Sequence, residues 1–272
     1  VIKLATLYDA KVYISGNVIE IYKYSDTRAC GYSIPNKAPT GGGDKVHIDF
    51  ETGEIIEGSI ESTKLESRMK SNIRARNEVR RLVLSNFDKS SKFMTLTFRE
   101  NLQDISEANK CFKLFLQSVN RHLKSKGKPN VKYVAVVEFQ KRGAIHYHVI
   151  CDLKGFNASR LWGYWKSATR QYDGGVDIKN IRQVDNVGAY VTKYMVKDLE
   201  KADDRLVGKK VYQRSQNLDK PKQFVLDFRK EKDRALFEEL TQGKKITYES
   251  KYDDKHTGGT VDYLEINLSR QK

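Results

Sequence analysis

The sequence predicts an α+β chain: a ferredoxin-like, RRM-like β-α-β-β-α-β core around a central antiparallel sheet, followed by a further helix and flanked by N- and C-terminal extensions. Three observations carry that reading. Between residues 92 and 181 the apolar spacing alternates between the strand and helix periods in the order strand, helix, strand, strand, helix, strand. Only Lys141-Arg142-Gly143 separates the two central strands, and a three-residue hairpin loop wants glycine at its last position. Each of the two intervening helices is preceded by a residue that can cap it, Asp104 and Asn157.

Taken in order, residues 11–24 (KVYISGNVIEIYKY) alternate apolar and polar around Ser15-Gly16-Asn17 and predict a hairpin. NKAPTGGGDK (36–45) reads as a linker. A helix is expected from Lys64 to Arg81, with Leu65, Met69, Ile73 and Val79 on its apolar side. Its other side carries Lys64, Arg68, Lys70, Arg74, Arg76, Arg80 and Arg81, which suits either a solvated face or an arm that contacts phosphates. KFMTLTF (92–98) is a strand with Met94, Leu96 and Phe98 on one face and Thr95 and Thr97 on the other. Asp104 and Glu107 have capping-box spacing, and Ile105, Ala108, Phe112, Phe115, Val119 and Leu123 then repeat helically until Gly127.

VKYVAVVEFQ (131–140) and AIHYHVIC (144–151) are the hairpin strands, and Asn157 opens a helix holding Leu161, Trp162, Trp165 and Ala168. VDIKNI (176–181) is the last core strand, after Asp173-Gly174-Gly175. A further helix, capped by Asp185 or Asn186, runs to about Leu199. The division expected is an N-terminal extension (1–85), a core (86–205) and a C-terminal extension (206–272).

Composition narrows the partner. The chain has 50 Lys and Arg against 35 Asp and Glu, a net charge of +15, and such a field favours a polyanion, most simply nucleic acid. No apolar run approaches membrane-spanning length, and no signal peptide is visible. The three cysteines, Cys30, Cys111 and Cys151, are odd in number and far apart. They argue for a reducing, cytoplasmic setting and against a thiolate zinc site or a disulfide framework. No Gly-x-x-x-x-Gly-Lys-Ser/Thr sequence is found, so no helicase motor is evident.

Two of the five histidines, His146 and His148, stand one residue apart in the second hairpin strand. If Gln140 faces Ala144 across the loop, Glu138 falls opposite His146, and His148 lies two residues on along the same face. One carboxylate and two imidazoles then converge with positions left open for a substrate oxygen, which predicts a metal site. Tyr133, Ala135, Val137, Phe139, Ile145, Tyr147, Val149 and Cys151 make the opposite face, the one for two helices to cover.

In VGAYVTKYMVKD (187–198) the spacing puts Tyr190, Lys193, Tyr194 and Lys197 on one side of a helix, with Val187, Val191, Met195 and Leu199 as the stripe that docks it. A phenol with a pKa near 10 is a poor nucleophile until a cation or metal stabilises its anion. Lysines one turn away could do that, or could hold a phosphate oxygen. The same pattern also suits an amphipathic helix with snorkelling lysines.

Together these segments resemble the HUH endonucleases, in particular the rolling-circle replication initiators of bacterial plasmids and phages. FMTLTF is similar to that family's first motif, His146-Tyr147-His148 to the second and Tyr190-Val191-Thr192-Lys193-Tyr194 to the third. The resemblance covers roughly residues 90–200. It implies nicking and rejoining of single-stranded DNA at a replication origin, with a stem-loop as the expected form, through a 5′-phosphotyrosine intermediate. Glu138, His146 and His148 would hold Mg²⁺ or Mn²⁺, and Tyr190 and Tyr194 would be the nucleophiles, with Lys193 and Lys197 beside them. Arg74, Arg76, Arg80, Arg81, Arg142, Thr95 and Thr97 are the expected DNA contacts. A host helicase and polymerase are the implied partners, no membrane is involved, and the setting is a bacterial cytoplasm. Other readings are a transposase or relaxase of the same superfamily, or a module that binds single-stranded nucleic acid without cutting it.

Overall fold

The computed structural model describes residues 6–30, 47–48, 55–56, 60–179, 181, 186–199, 212–254 and 257–271, with backbone alone for 47–48, 55–56, 60–70 and 194–199. Two compact units emerge, Gly58–Lys220 and the pair of segments Val1–Glu57 and Pro221–Lys272. This differs from the expected division. The basic helix joins the core, and the two chain ends combine in one unit because their strands pair with each other. The linker expected at 36–45 lies outside the described residues.

In the unit made of the two chain ends, β1 (Thr6–Ser15) and β2 (Val18–Cys30) form the expected hairpin. Ser15 pairs with Val18, and Gly16 takes a φ of +56° in the two-residue loop, a conformation that costs glycine little. Short β3 (His47–Ile48) and β4 (Ile55–Ile56) pair with each other.

The core unit begins with helix α1 (Ile60–Asn86), longer at both ends than expected. β5 (Lys92–Phe98), α2 (Ile105–Ser125), β6 (Tyr133–Phe139), β7 (Ile145–Cys151), α3 (Ala158–Ala168) and β8 (Gly174–Lys179) follow in the predicted β-α-β-β-α-β order. Then come α4 (Val187–Leu199) and β9 (Tyr212–Arg214). The sheet order is β8-β5-β7-β6-β9, all antiparallel: a ferredoxin-like sheet extended by one edge strand.

One face of this sheet buries Met94, Leu96, Phe98, Ala135, Val137, Ile145, Tyr147 and Val149 beneath α2 and α3. Phe112, Phe115, Leu161 and Trp165 fill the layer from the helices, and the Phe112 ring stacks on Tyr147 at 4.8 Å. Both caps form: Asp104 accepts from the Ser106 amide and Asn157 from the Arg160 amide. Trp162 departs from expectation. With Leu161 and Trp165 four apart facing the sheet, Trp162 turns outward and is 46 % exposed.

The other face carries Phe93, Val134, Val136 and Ile150, packed with Val79, Leu82, Val83 and Phe87 of α1 and its end and with Val187 and Val191 of α4. The docking side of α1 is thus shifted from the expected one. Val79 is buried, but Ile73 is 53 % exposed, and Leu65 and Met69 have no described side chains. Gly188 lets α4 approach α1 closely, since a Cβ there would lie 2.7 Å from Leu84 Cγ.

The remaining strands, β10 (Lys222–Leu226), β11 (Tyr248–Asp253) and β12 (Thr260–Asn267), join β1 and β2 in a second five-stranded antiparallel sheet, order β10-β1-β2-β12-β11. α5 (Glu231–Thr241) brings Leu236, Phe237 and Leu240 onto its face of Ala10, Val12, Ile21, Leu226 and Ile266. A 3₁₀ turn, Leu268–Arg270, follows β12. The whole is an α+β protein with two antiparallel five-stranded sheets. Among the described residues no helix is long and apolar enough to cross a membrane.

Candidate functional site

The hairpin register places the acid where the sequence puts it. Gly143 turns the loop with a φ of +88°, and the Gln140 amide donates to the Ala144 carbonyl at 2.9 Å. Glu138 pairs with His146, and on the other side of β7 Thr97 pairs with His146 and Thr95 with His148. Because strand neighbours alternate, one face presents the row Gly175–Thr97–His146–Glu138, and beside it Asp177–Thr95–His148–Val136.

His148 is buried, with Nε2 on Glu138 Oε2 and Nδ1 3.2 Å from Thr95 Oγ1. Its imidazole lies parallel to the Phe93 ring, centroids 6.0 Å apart. His146 is half-buried, and burial, followed by the neighbouring His148, moves its pKa down to about 4 against the pull of Glu138. It is therefore neutral near pH 7, with a lone pair available. Glu138 closes onto His148, and among the described residues no three His, Cys, Asp or Glu side chains are gathered as a metal cage. In kind and register the donors still fit a divalent cation. Cross-strand partners have Cβ atoms roughly 5 Å apart, so Glu138 and both imidazoles can reach one point.

α4 packs over β6 and β7. Asn186 caps it, accepting from the Ala189 amide at 2.8 Å, while the other expected cap, Asp185, lies outside the described residues. Tyr190 sets its ring edge-on to Phe93 at 5.3 Å, and Lys193 holds its Nζ 4.6 Å from the Tyr190 ring centre. Phe93 thus links the tyrosine to the histidine. Tyr194 and Lys197 are on the same helix, with side chains outside the described residues.

The expected DNA contacts sort differently. Arg74 and Arg76 are exposed on α1, whereas Arg80 and Arg81 are half-buried. Arg142 directs its guanidinium inward, to Gln140 Oε1 and to the carbonyls of Arg99 and Phe98. Thr95 orients His148, and Thr97 Oγ1 donates to the Gly175 carbonyl at 3.3 Å. An open cleft of about 530 Å³ joins His146, Thr97, Arg142 and Trp162. Phe93, Asp177 and Trp162 are the site residues that the sequence reading leaves out. Parity along β5 and its partners would have found the first two, since Phe93 shares a face with Thr95, and Asp177 pairs with it.

Residues 91–199 match the ORF2 family of replication-associated proteins. The matched segment takes in both the histidine hairpin and the tyrosine helix. The chain is also 26 % identical over 138 residues to the Phasyl DNA replicon protein arp of Escherichia coli, covering 43 % of this chain and 46 % of that relative. The chain therefore spans less than half the length of that curated relative. No solved structure matches it significantly. Both similarities point the segment toward DNA replication.

Proposed function

We propose that the chain is a replication initiator of the HUH type, which nicks and rejoins single-stranded origin DNA through a tyrosine. The observation that carries this is one constellation within the replication-associated segment. Glu138 faces His146 and touches His148, and Tyr190 stands one aromatic ring away, beside Lys193.

In this reading Glu138, His146 and His148 hold Mg²⁺ or Mn²⁺, the Glu138–His148 bond giving way to a shared cation. When bound, that cation polarises a non-bridging oxygen of the scissile phosphate and offsets its charge. Thr95 fixes His148: if the hydroxyl accepts from Nδ1–H, Nε2 keeps its lone pair toward the site. The Lys193 ammonium favours the Tyr190 phenolate. The phenolic oxygen attacks phosphorus, a Tyr–O–P bond forms, and the P–O3′ bond breaks. The phenol's proton leaves and the departing 3′-oxygen gains one. The products are a 5′-phosphotyrosine and a free 3′-hydroxyl, which a polymerase extends after a helicase in trans has separated the strands. Reversal needs no nucleotide, because the covalent bond conserves the phosphodiester.

Tyr194, with Lys197 at the same spacing as Tyr190 with Lys193, would serve the second cleavage that ends a round. The setting is the cytoplasm of a bacterial host. The deciding experiment traps the protein–DNA adduct on a labelled stem-loop strand and maps the modified peptide. Attachment at Tyr190, and loss of the adduct in Tyr190→Phe, is the expected result. Attachment at Tyr194 alone reverses the roles. Binding with no adduct on any origin strand of the replicon replaces this reading with a non-catalytic binding module.

A further inference from the structure

At the other end of the core sheet a second pocket lies between the end of α2 and the start of α3, about 400 Å³ in volume. It is lined by Lys126, Lys128, Lys154 and Arg160 around His122, with Asp152 as the lone carboxylate among its lining residues. His146 and Cys151 are five residues apart on β7, so this pocket is roughly 17 Å or more from the histidine face. It takes no part in the chemistry proposed above.

Local structure builds the cluster. Lys126 ends α2, and Gly127 (φ +66°) then reverses the chain so that the Lys128 amide donates to the Leu123 carbonyl at 2.9 Å. Gly155 (φ +70°) turns the chain after Lys154, and Asn157 starts α3, placing Arg160 in its first turn. Arg160 Nη1 lies 3.0 Å from His122 Nε2, and the His122 ring stands edge-on to Phe156 at 5.1 Å. The one carboxylate in the pocket does not answer these charges. Asp152 Oδ1 is taken by the Lys132 amide at 2.9 Å, and burial pushes its carboxyl pKa up. Among the described residues Lys126, Lys128 and Arg160 form no ion pair, while Lys154 is near enough to Asp88 to help hold that carboxyl down. His122 registers the excess: burial, and then Arg160, Lys126 and Lys128, hold it below its ordinary value.

A pocket with several cations, one guanidinium fork and its single carboxylate already engaged is built for a tetrahedral oxyanion. We propose that Lys126, Lys128 and Arg160 bind a backbone phosphate of the single-stranded DNA, several nucleotides from the bond cut at the histidine face. The proposal rests on DNA being the substrate. Under it, the strand runs the length of the core and is held at both ends, so the scissile bond is positioned by a remote grip as well as by its own contacts.

The test is the salt dependence of binding to a labelled generic strand of about 30 nucleotides, for wild type and for Lys126→Ala/Lys128→Ala/Arg160→Ala. Each phosphate contact contributes about 0.7 to the slope of log K against log salt on a single strand, so the triple variant should lose roughly 2. Adduct formation at saturating DNA should stay near wild type. An unchanged slope overturns the proposal, and so does weaker binding at an unchanged slope, which would report a structural defect. Inorganic phosphate separates the remaining source: saturable binding by wild type, lost in the variant while the DNA slope is unaltered, would assign the pocket to free phosphate instead. Absence of an adduct in wild type would sink the nicking reading but leave the slope result standing, so the two can fail separately.

Discussion

Both faces of the core sheet are roofed by helices, yet they are built on different terms. Under α2 and α3 the strand side chains are apolar, and the two polar tips that intrude are each satisfied. Tyr147 Oη donates to Asn109 at 2.7 Å, and Trp165 Nε1 donates to the Thr97 carbonyl at 3.0 Å. The opposite face is divided. Phe93, Val134, Val136 and Ile150 dock α1 and α4, while Thr95, Thr97, Glu138, His146 and His148 stand beside them without apolar cover of their own. Burying a carboxylate and two imidazoles costs free energy that leucines would not. A fold that places them in one register, next to a helix bearing Tyr190, has given up stability there for chemistry.

That contrast is sharpest in mutants that separate stability from activity. On the divided face, His146→Ala with His148→Ala should remove nearly all nicking, more than about 100-fold, and truncating the orienting Thr95 to Val should cost a smaller factor of about 10–100, the usual range for a group that positions a ligand. Chelation should mimic the double variant, and Mg²⁺ or Mn²⁺ should restore wild type. Strand binding should persist throughout, since the +15 charge carries affinity. Nicking by the double variant in chelator would remove the histidines from the mechanism.

The apolar face should behave in the opposite way. Phe112 and Trp165 are fully buried, and Phe112→Ala or Trp165→Ala should lower unfolding free energy by about 3–5 kcal/mol in a denaturant titration. The folded fraction should keep its nicking rate per molecule. A variant of normal stability that no longer nicks would show that this face, too, belongs to the site.

Much of this contrast is legible in the sequence, because it depends on parity. Once Lys141-Arg142-Gly143 is taken as the loop, every partner of β6 and β7 follows, and the strand period assigns each residue to a face. The cap of α2 and its buried stripe are equally local. What parity does not reveal is where a long helix docks. The apolar residues of α1 are spread around it, and α4, more than a hundred residues later, selects Val79, Leu82 and Val83. The second sheet fails for the same reason. Val12 pairs with Phe224, and Tyr22 with Tyr263, contacts that no local pattern announces. Within the site, Glu138 and both histidines are visible as residues, but the closing of Glu138 onto His148 depends on side-chain rotamers that the spacing does not encode.

The junction of α1 with α4 tests whether the tyrosine helix is placed by packing. Gly188→Ala would put a methyl group 2.7 Å from Leu84 Cγ and 3.2 Å from the Arg80 carbonyl. Leu84 can yield by rotation, but the backbone oxygen cannot, so overpacking of about 1–3 kcal/mol is expected. Because Tyr190 is two residues further along α4, adduct formation should fall by more than the stability loss explains. A fall in stability with an unchanged adduct rate would mean that Tyr190 is positioned by Phe93 rather than by the helix pair.

The smallest effect expected is on the outer side of α1, where seven basic residues between Lys64 and Arg81 suggest a phosphate arm. The structure separates them into two kinds. Arg74 and Arg76 are exposed, while Arg80 and Arg81 are half-buried, and the Arg80 carbonyl lies against Gly188 of α4. If the arm grips DNA, Arg74→Ala/Arg76→Ala should reduce the salt slope by about 1.4, two contacts at about 0.7 each, and leave thermal stability within about 0.5 kcal/mol of wild type. Arg80→Ala/Arg81→Ala should also reduce stability measurably, because half-buried arginine stems pack as well as carry charge. Equal slopes for wild type and the Arg74/Arg76 variant would make this side an ordinary solvated helix face, and the grip on the strand would then have to come from the sheet and the pocket beside His122.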